Sequence, residues 1–472
     1  MTVGRVVGGR VRVRWSGREE GVLDSLEGDL LLLKLERRLN QPAGRWGLTL
    51  TARRDSRGRR YHHRIRPMDY VELYLSRDRQ QLPATPTLRG FVDGCYEEYR
   101  ADGARVQHAV TVNGRDLVSV YLLHKYLYFL KLIDPVASAV QFPGVLLQSA
   151  ADLFAVPNLT PQEFLDKVKA LVLDGQLGPR LGAQTAAGLT VTVGGVPDLR
   201  LRAGPGMERF AVTLLSAAQI EGPVWNLLRH YQGAPFCELV LHDPPEGPEL
   251  LWRWAPYRGP LGEELSPAQD VPTHLVGADE LLQLAIGTSQ QGVVNYFLVY
   301  PRVIQALSLD PKILILGERG MTQDARNPCF LRELADRYGF RPLEIPLPLF
   351  PQQAVDPTQQ QQQTFFTRSR ELAEDLAQWC GRAFGHQALL EEGTAVLQGR
   401  PEIAPGSYVQ LRETGQTFYV EAVTHEWQLT PPRFLTTLEL RRGYWPPDRN
   451  PYPPEVAGQR QTLQTLPRLE GG

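Results

Sequence analysis

A histidine beside a carboxylate is the smallest pair that could move a proton, and the chain has one in Thr424-His425-Glu426. The pair falls in a run that alternates like a strand, so its two side chains point to opposite faces and His425 is expected to be a packed or interface residue. His62-His63 could ligate a metal, but adjacent histidines in an arginine-rich segment are expected to be solvated. Glu371, Glu374 and Asp375 could form a carboxylate cluster, yet beside Arg368 and Arg370 on a helix they read as a solvated face. The cysteines, Cys95, Cys237, Cys329 and Cys380, are isolated and leave no C-x-x-C spacing for zinc or redox work. They are expected to be buried thiols of a protein folded in the cytoplasm. No G-x-x-x-x-G-K-[ST], H-E-x-x-H or G-x-S-x-G occurs, and Gly204-Pro-Gly206 lacks the third glycine of a dinucleotide loop. The expectation is a protein without catalytic chemistry, metal or cofactor.

Composition narrows the class further. With 51 Lys+Arg against 52 Asp+Glu in 472 residues, the net charge of −1 argues against bulk nucleic-acid binding, which needs a basic excess. No stretch approaches 18 consecutive apolar residues, and the first residues lack the apolar core of a signal peptide, so neither a spanning helix nor a leader is expected. The length suits about three domains. Only six of the basic residues are lysines, which leaves a surplus of rigid, multi-donor guanidinium groups suited to interfaces.

The elements follow from hydrophobic period. Arg10-Val-Arg12-Val-Arg14-Trp15 alternates strictly, placing three arginines opposite Val11, Val13 and Trp15. Runs at 30–35, 46–52, 69–75, 90–96 and 106–112 complete about six strands, enough for a small barrel or sandwich. Between the third and fourth lies the segment 53–66, where Arg53, Arg54, Arg57, Arg59, Arg60, Arg64 and Arg66 meet a single acid, Asp55. It reads either as a solvated hairpin loop or as a loop that docks on an acidic partner or passing nucleic acid. Helices are expected over 121–133 and 145–154. Another should follow Thr160-Pro161-Gln-Glu163, which combines an N-cap, an N1 proline and a capping glutamate. A short helix at 224–231 precedes strands at 237–242 and 249–254. Further on, a strand is expected at 295–300, a helix at 330–338, a glutamine-rich linker at 351–363 and a helix at 367–384. Strands at 395–398, 408–411, 417–427 and 434–441 close the order, followed by a proline-rich extended arm.

Three groups of residues resemble one family together. Val112-Asn-Gly114-Arg115-Asp116-Leu117 resembles the strand end that closes the first barrel of tailed-phage baseplate hub proteins. Gly222-Pro-Val-Trp225-Asn-Leu-Leu228, Pro235-Phe-Cys-Glu238-Leu and Leu251-Trp-Arg253-Trp-Ala-Pro256 look like that family's helix and hairpin. The pattern G-x-P-x-I-x-x-G from Gly399 to Gly406, Y-V-x-x-V-x-H from Tyr419 to His425, and T-T-L-x-L-x-R-G from Thr436 to Gly443 is the most specific part. It is similar to the late-control-D type hubs of contractile phages, to Mu-like and T-even-like hubs, and to the hub part of type VI spikes.

The resemblance implies an α+β, mainly β chain with two tail-tube-like barrels and a helical domain between them. The expected domains are a first barrel at 1–118, a helical and α+β domain at 119–262, and a second barrel at 263–445 with an α/β insertion at about 310–390. The proline-rich arm takes 446–472. It further implies a homotrimeric ring in the virion, joining the tail tube or distal tail protein to the central spike. Tape-measure and peripheral baseplate proteins are expected neighbours, with DNA or effector crossing the channel. Interface candidates are Arg10, Arg12, Arg14, Arg53, Arg54, Arg57, Arg59, Arg60, Trp445 and Tyr452. The alternatives are a tail-associated cell-wall hydrolase and a carbohydrate- or receptor-binding tail module.

Overall fold

The computed structural model describes residues 8–17, 19–102, 105–122, 125–126, 159–170, 199–212, 222–242, 247–259, 262–267, 269–301, 330–351 and 359–449. Its first unit contains β1 (Arg10–Ser16), β2 (Gly21–Asp24), β3 (Leu30–Arg38), β4 (Arg45–Thr51), the single-turn helix α1 (Tyr61–Arg64), β5 (Tyr70–Ser76), β6 (Leu88–Asp102) and β7 (Arg105–Asp116). The antiparallel register sets Val13 against Leu73 and Trp15 against Val71. All four are buried, so the alternation in β1 does what its period dictates, turning its apolar residues inward.

The middle of the chain holds α2 (Val118–Leu122), β8 (Lys125–Tyr126), α3 (Pro161–Lys167), β9 (Arg200–Ala203), β10 (Phe210–Val212), β11 (Gly222–Pro223), α4 (Val224–Tyr231), β12 (Cys237–His242) and β13 (Glu249–Trp254). The start of α3 is the capping box that its sequence announces. The Thr160 hydroxyl accepts from the Glu163 amide at 3.2 Å, and the Glu163 carboxylate accepts from the Thr160 amide at 2.7 Å. The helix expected over 121–133 is corrected: α2 ends at Leu122, and Lys125–Tyr126 pairs with Gly222–Pro223, so its backbone groups serve a strand ladder. Residues 127–133, and the helix expected at 145–154, lie outside the described residues.

The last part comprises β14 (Thr273–Val276), β15 (Leu281–Gly287), β16 (Tyr296–Pro301), α5 (Arg332–Tyr338), β17 (Pro342–Leu347), β18 (Leu349–Pro351), α6 (Gln359–Phe384), β19 (Glu391–Gln398), β20 (Tyr408–Leu411), β21 (Thr417–Gln428) and β22 (Arg433–Tyr444). The glutamine-rich linker is a second correction. The five glutamines form the first turns of α6, and Pro351 belongs to β18. Glutamine is a good helix former, and the apolar face of the same helix further on, with Ala373, Leu376, Trp379 and Cys380 buried, anchors it to the core.

The fold class is α+β, mainly β, with barrel-like units at both ends. These units are not separate. One 13-stranded sheet runs β15-β19-β22-β21-β3-β4-β7-β6-β5-β1-β2, with β20 and then β14 attached beside β21. The joint is β3 against β21, where Leu32 faces Gln428 and Arg38 faces Ala422. Trp427 and Phe434, from the far ends of β21 and β22, fill the core of the first unit, and the Trp427 indole donates to the Gly9 carbonyl at 2.8 Å. A third core fuses the middle of the chain with the 296–384 region: β10 pairs with β18, and Trp225, Trp252, Trp254, Phe297 and Trp379 share one cluster. No helix among the described residues is long and apolar enough to cross a membrane.

Candidate interaction surfaces and the buried junction

The residues that carry the family resemblance meet at one place. Glu238 on β12 and Arg253 on β13 are direct cross-strand partners, and both are buried. The Arg253 Nε donates to the Glu238 carboxylate at 2.9 Å. Its Nη2 reaches across to the second barrel, donating to the Gly406 carbonyl at 2.7 Å and the Tyr419 hydroxyl at 3.1 Å. Tyr419 in turn donates to Glu238 at 2.5 Å. Gly406 adopts φ +85°, a conformation that costs a side-chain residue strain and that aims its carbonyl at the guanidinium.

Arg442, the arginine of the T-T-L-x-L-x-R-G run, completes the junction. Its guanidinium lies 4.3 Å from the Tyr257 ring centre and 4.1 Å from that of Tyr419. The residue sits at φ +54°, and strain at a non-glycine position persists only where the surroundings fix it. Further along, Arg258 lies over Tyr408 and Tyr444 and donates to the Tyr444 hydroxyl at 3.0 Å. Burial disfavours both charged guanidiniums, but Glu238 and the tyrosines outweigh it and hold Arg253 and Arg442 above the usual range. Tyr419 is pushed up by burial and by Glu238, so it stays a neutral donor. This arrangement fastens the β12–β13 hairpin to the second barrel. Its chemistry is that of a structural clamp.

The GRD segment does similar work in the first barrel. The Asp116 carboxylate accepts from the Gly44 amide at 2.6 Å, the Trp46 indole donates to the Arg115 carbonyl at 3.1 Å, and Arg115 forks onto Asp93 with both contacts at 2.8 Å.

The surface candidates are more neutral than a count along the sequence suggests. Arg10 and Arg12 both bond to Asp24, and Arg14 lies 3.8 Å from Glu72. In the segment 53–66, Arg53 faces Asp29 at 3.6 Å, Arg59 pairs with Glu19 and Asp55, Arg60 pairs with Glu97, and Arg64 faces Glu19 at 3.8 Å. Among the described residues, Arg54, Arg57 and Arg66 remain exposed without a carboxylate partner. His62 and His108 share Glu97 with Arg60, and α1 sits within the segment that reads as a plain loop. Trp445 donates to Glu391 at 3.3 Å and Arg449 to the Glu413 carbonyl at 2.8 Å, so the arm starts against this chain. Tyr452 lies outside the described residues.

The sequence matches no protein-family model and no curated protein. In structure it is similar to tail proteins. One is the tail protein from Neisseria meningitidis, with 14% identity and a TM-score of 0.46 over 94% of this chain and 100% of that one. Another is the 43 kDa tail protein of prophage MuSo2 from Shewanella oneidensis, with 12% identity and a TM-score of 0.47 over 94% and 100%. A third is an E. coli component of the type VI secretion system, described as similar to bacteriophage T4 tail proteins, with 8% identity and a TM-score of 0.39 over 94% and 79%.

His425 is buried and bonded to the Thr436 hydroxyl at 3.0 Å. Asp375 is pushed up by partial burial and by Glu371 and Glu374, on the half-buried flank of α6. Cys95 and Cys237 are free thiols, Cys380 is buried on α6, and burial pushes Cys95 up to about 11. Cys329 lies outside the described residues. No group of three or more His, Cys, Asp or Glu side chains that could hold a metal occurs among the described residues.

The sequence signal for the junction was present without its meaning. Glu238, Arg253, Tyr419 and Arg442 stand in the motifs, but nothing in their spacing says that they touch.

Proposed function

We propose that this chain is the structural hub at the distal end of a phage tail or a related contractile injection system. In this reading three copies form a ring that joins a six-fold tube to a three-fold spike and surrounds the channel. The observation that supports it most is the fusion of two barrel-like units through β3 and β21, as a chain that fills two neighbouring positions of a ring requires. Symmetry matching by two units per chain needs that relation to be rigid, and the Glu238–Arg253–Tyr419 clamp supplies rigidity on the flank of the second barrel. The tail tube, the central spike, a tape-measure protein and peripheral baseplate proteins are the partners, and DNA or effector is the cargo. The chain itself performs no bond-breaking step in this reading.

Native mass spectrometry of the full chain at micromolar concentration, alone and with tube and spike proteins from the same gene cluster, tests the proposal. A homotrimer that binds both is the expected result. A strictly monomeric or dimeric particle under both conditions, or clearing of purified cell walls by the chain alone, would count against it.

A further inference from the structure

We propose that the cleft beside Arg442 is a binding site for a carboxylate that carries a neighbouring amide N–H, the combination found at the C-terminal end of a peptide. The site is separate from any ring contact, so this inference and the hub reading stand or fall independently.

The cleft has a volume of about 350 Å³ and lies where β12, β21, β22 and the end of α6 meet. That volume falls in the range of small-ligand sites. Gln232 lines it from directly after α4, Tyr257 from the segment after β13, and Gln387 from the turn beyond α6. Elements of the barrel, the hairpin and the long helix thus hold its walls in place.

The anionic half of the ligand follows from charge. The junction holds two guanidiniums, Arg253 and Arg442, around one carboxylate, Glu238. Glu238 is already engaged by Arg253 and by the Tyr419 hydroxyl. Arg441, the other guanidinium of the cleft, is met by Glu421 and Glu392. Among the described residues no carboxylate forms an ion pair with Arg442, which is half-buried and lines the cleft between the Tyr257 and Tyr419 rings. One positive charge is left over, and the planar fork of a guanidinium matches the two oxygens of a carboxylate.

The amide half follows from two acceptors without donors. Gln232 is 2% exposed, and its Nε2 donates to the Cys237 carbonyl at 2.9 Å and to the Asn40 side-chain oxygen at 2.8 Å. These two bonds fix which way the side-chain amide points. The Gln232 Oε1 is buried and meets no donor among the described residues, and the same holds for the Gln387 Oε1. A buried acceptor left unpaired is costly, so the cleft calls for N–H groups. An ammonium would be repelled by Arg442, whereas an amide N–H is not. Water can serve the glutamines but brings no charge to offset Arg442. A peptide end supplies both groups, and its last side chain can rest on Leu39, Phe384 and Leu390.

The test titrates the full chain with N-acetyl-leucine, N-acetyl-leucinamide and free leucine, read by calorimetry and ligand-observed NMR. N-acetyl-leucine should bind, and the neutral amide should bind at least about tenfold more weakly, because it brings no anion to the guanidinium. Free leucine should also bind more weakly, through its ammonium. Arg442→Asn should remove the preference for acid over amide, with unchanged circular dichroism, since asparagine tolerates the positive φ at this position. Gln387→Leu removes an acceptor that no fold contact uses, and should weaken N-acetyl-leucine severalfold even if Arg442→Asn fails to fold. Equal binding of acid and amide by the parent chain, or binding of neither, overturns the proposal. Free leucine binding more tightly than N-acetyl-leucine overturns the peptide-end assignment in favour of a free amino acid.

Discussion

Two groups of arginines divide the molecule. In the segment 53–66 they are dense in sequence and lie at the surface, where Glu19 from the turn before β2, Asp29 just ahead of β3 and Glu97 on β6 meet them. At the junction Arg253 and Arg442 are isolated in sequence, yet they share one cluster with Glu238, Tyr257 and Tyr419, in which Arg253, Glu238 and Tyr419 are buried and Arg442 and Tyr257 half-buried. Water screens the first group over roughly 8 Å at physiological salt, so each pair there contributes little to stability. The second group has exchanged hydration for fixed partners, so removing one partner leaves a charge with no alternative. Arginine density along a chain is thus a poor guide to where arginine matters most.

The largest expected effect tests that contrast directly. Glu238→Ala leaves Arg253 buried and unpaired and should lower the unfolding free energy by about 3–5 kcal/mol, read as a fall in urea midpoint at unchanged m-value. Replacing both, Glu238→Met with Arg253→Met, should recover much of that loss, because two apolar groups strand no charge. A single variant within about 0.5 kcal/mol of the parent would put the clamp on the same footing as the surface pairs.

Acid separates the two regions next. Burial, with Arg37 nearby, pushes His425 down to about 3, and burial with Arg253 nearby pushes His242 down to about 4. The unfolded chain binds protons at these histidines below its ordinary value near 6.5, whereas the folded chain does not until far lower. Stability should therefore fall as pH drops from about 6.5 toward 4, by about 1.4 kcal/mol per unit of pH for each histidine once well below 6.5. His425→Phe should flatten that slope in urea midpoints measured between pH 7 and pH 4.5. Backbone hydrogen bonds from Arg59 hold Asp55 below the usual carboxylate range. The stability that Asp55 adds is present above its ordinary value and is lost only as pH falls beneath that, so Asp55 should contribute nothing to the slope in this window. His62, held below its ordinary value by burial, should contribute in the same sense as the buried histidines. A slope unchanged by His425→Phe would place the acid sensitivity elsewhere.

Most strands were legible because one face of each is dry. β1, β5, β12, β13 and β20 fall where alternation or short apolar runs put them, and α3 starts where its capping box does. β15 was missed because a bulge between Leu281 and Gln283 breaks its period and two of its outward residues, Leu282 and Ala285, are apolar like its inward ones. β2 is four residues long, too short to show a period. The fusion of the barrels through β3 and β21 was hidden for another reason: pairing between strands some 390 residues apart leaves no trace in local pattern. The clamp was half legible, since its residues stood in recognisable motifs while their meeting depends on that same long-range topology.

The smallest effect on stability, and the sharpest on attachment, is expected at the surface arginines. Among the described residues, Arg54 and Arg57 have no carboxylate partner, while Arg59 and Arg60 are engaged with Glu19 and Glu97. Arg54→Ser with Arg57→Ser should leave the urea midpoint unchanged within error, because no fold contact is removed. If the segment docks on acidic surface of a neighbouring tube or hub subunit, the same variant should weaken tube attachment and reduce its salt dependence. Arg59→Ser with Arg60→Ser is the control of opposite character. It removes the closest partner of Glu19 and of Glu97, leaving Arg64 beside the first and His62 and His108 beside the second, so it should loosen the segment against its own barrel and change attachment only through that loss of shape. Co-sedimentation with tube protein at low and physiological salt distinguishes the two pairs. Equal attachment by the parent and the Arg54/Arg57 variant at both salts would show that the exposed guanidiniums face only water, and that the arginines with structural consequence are the buried ones.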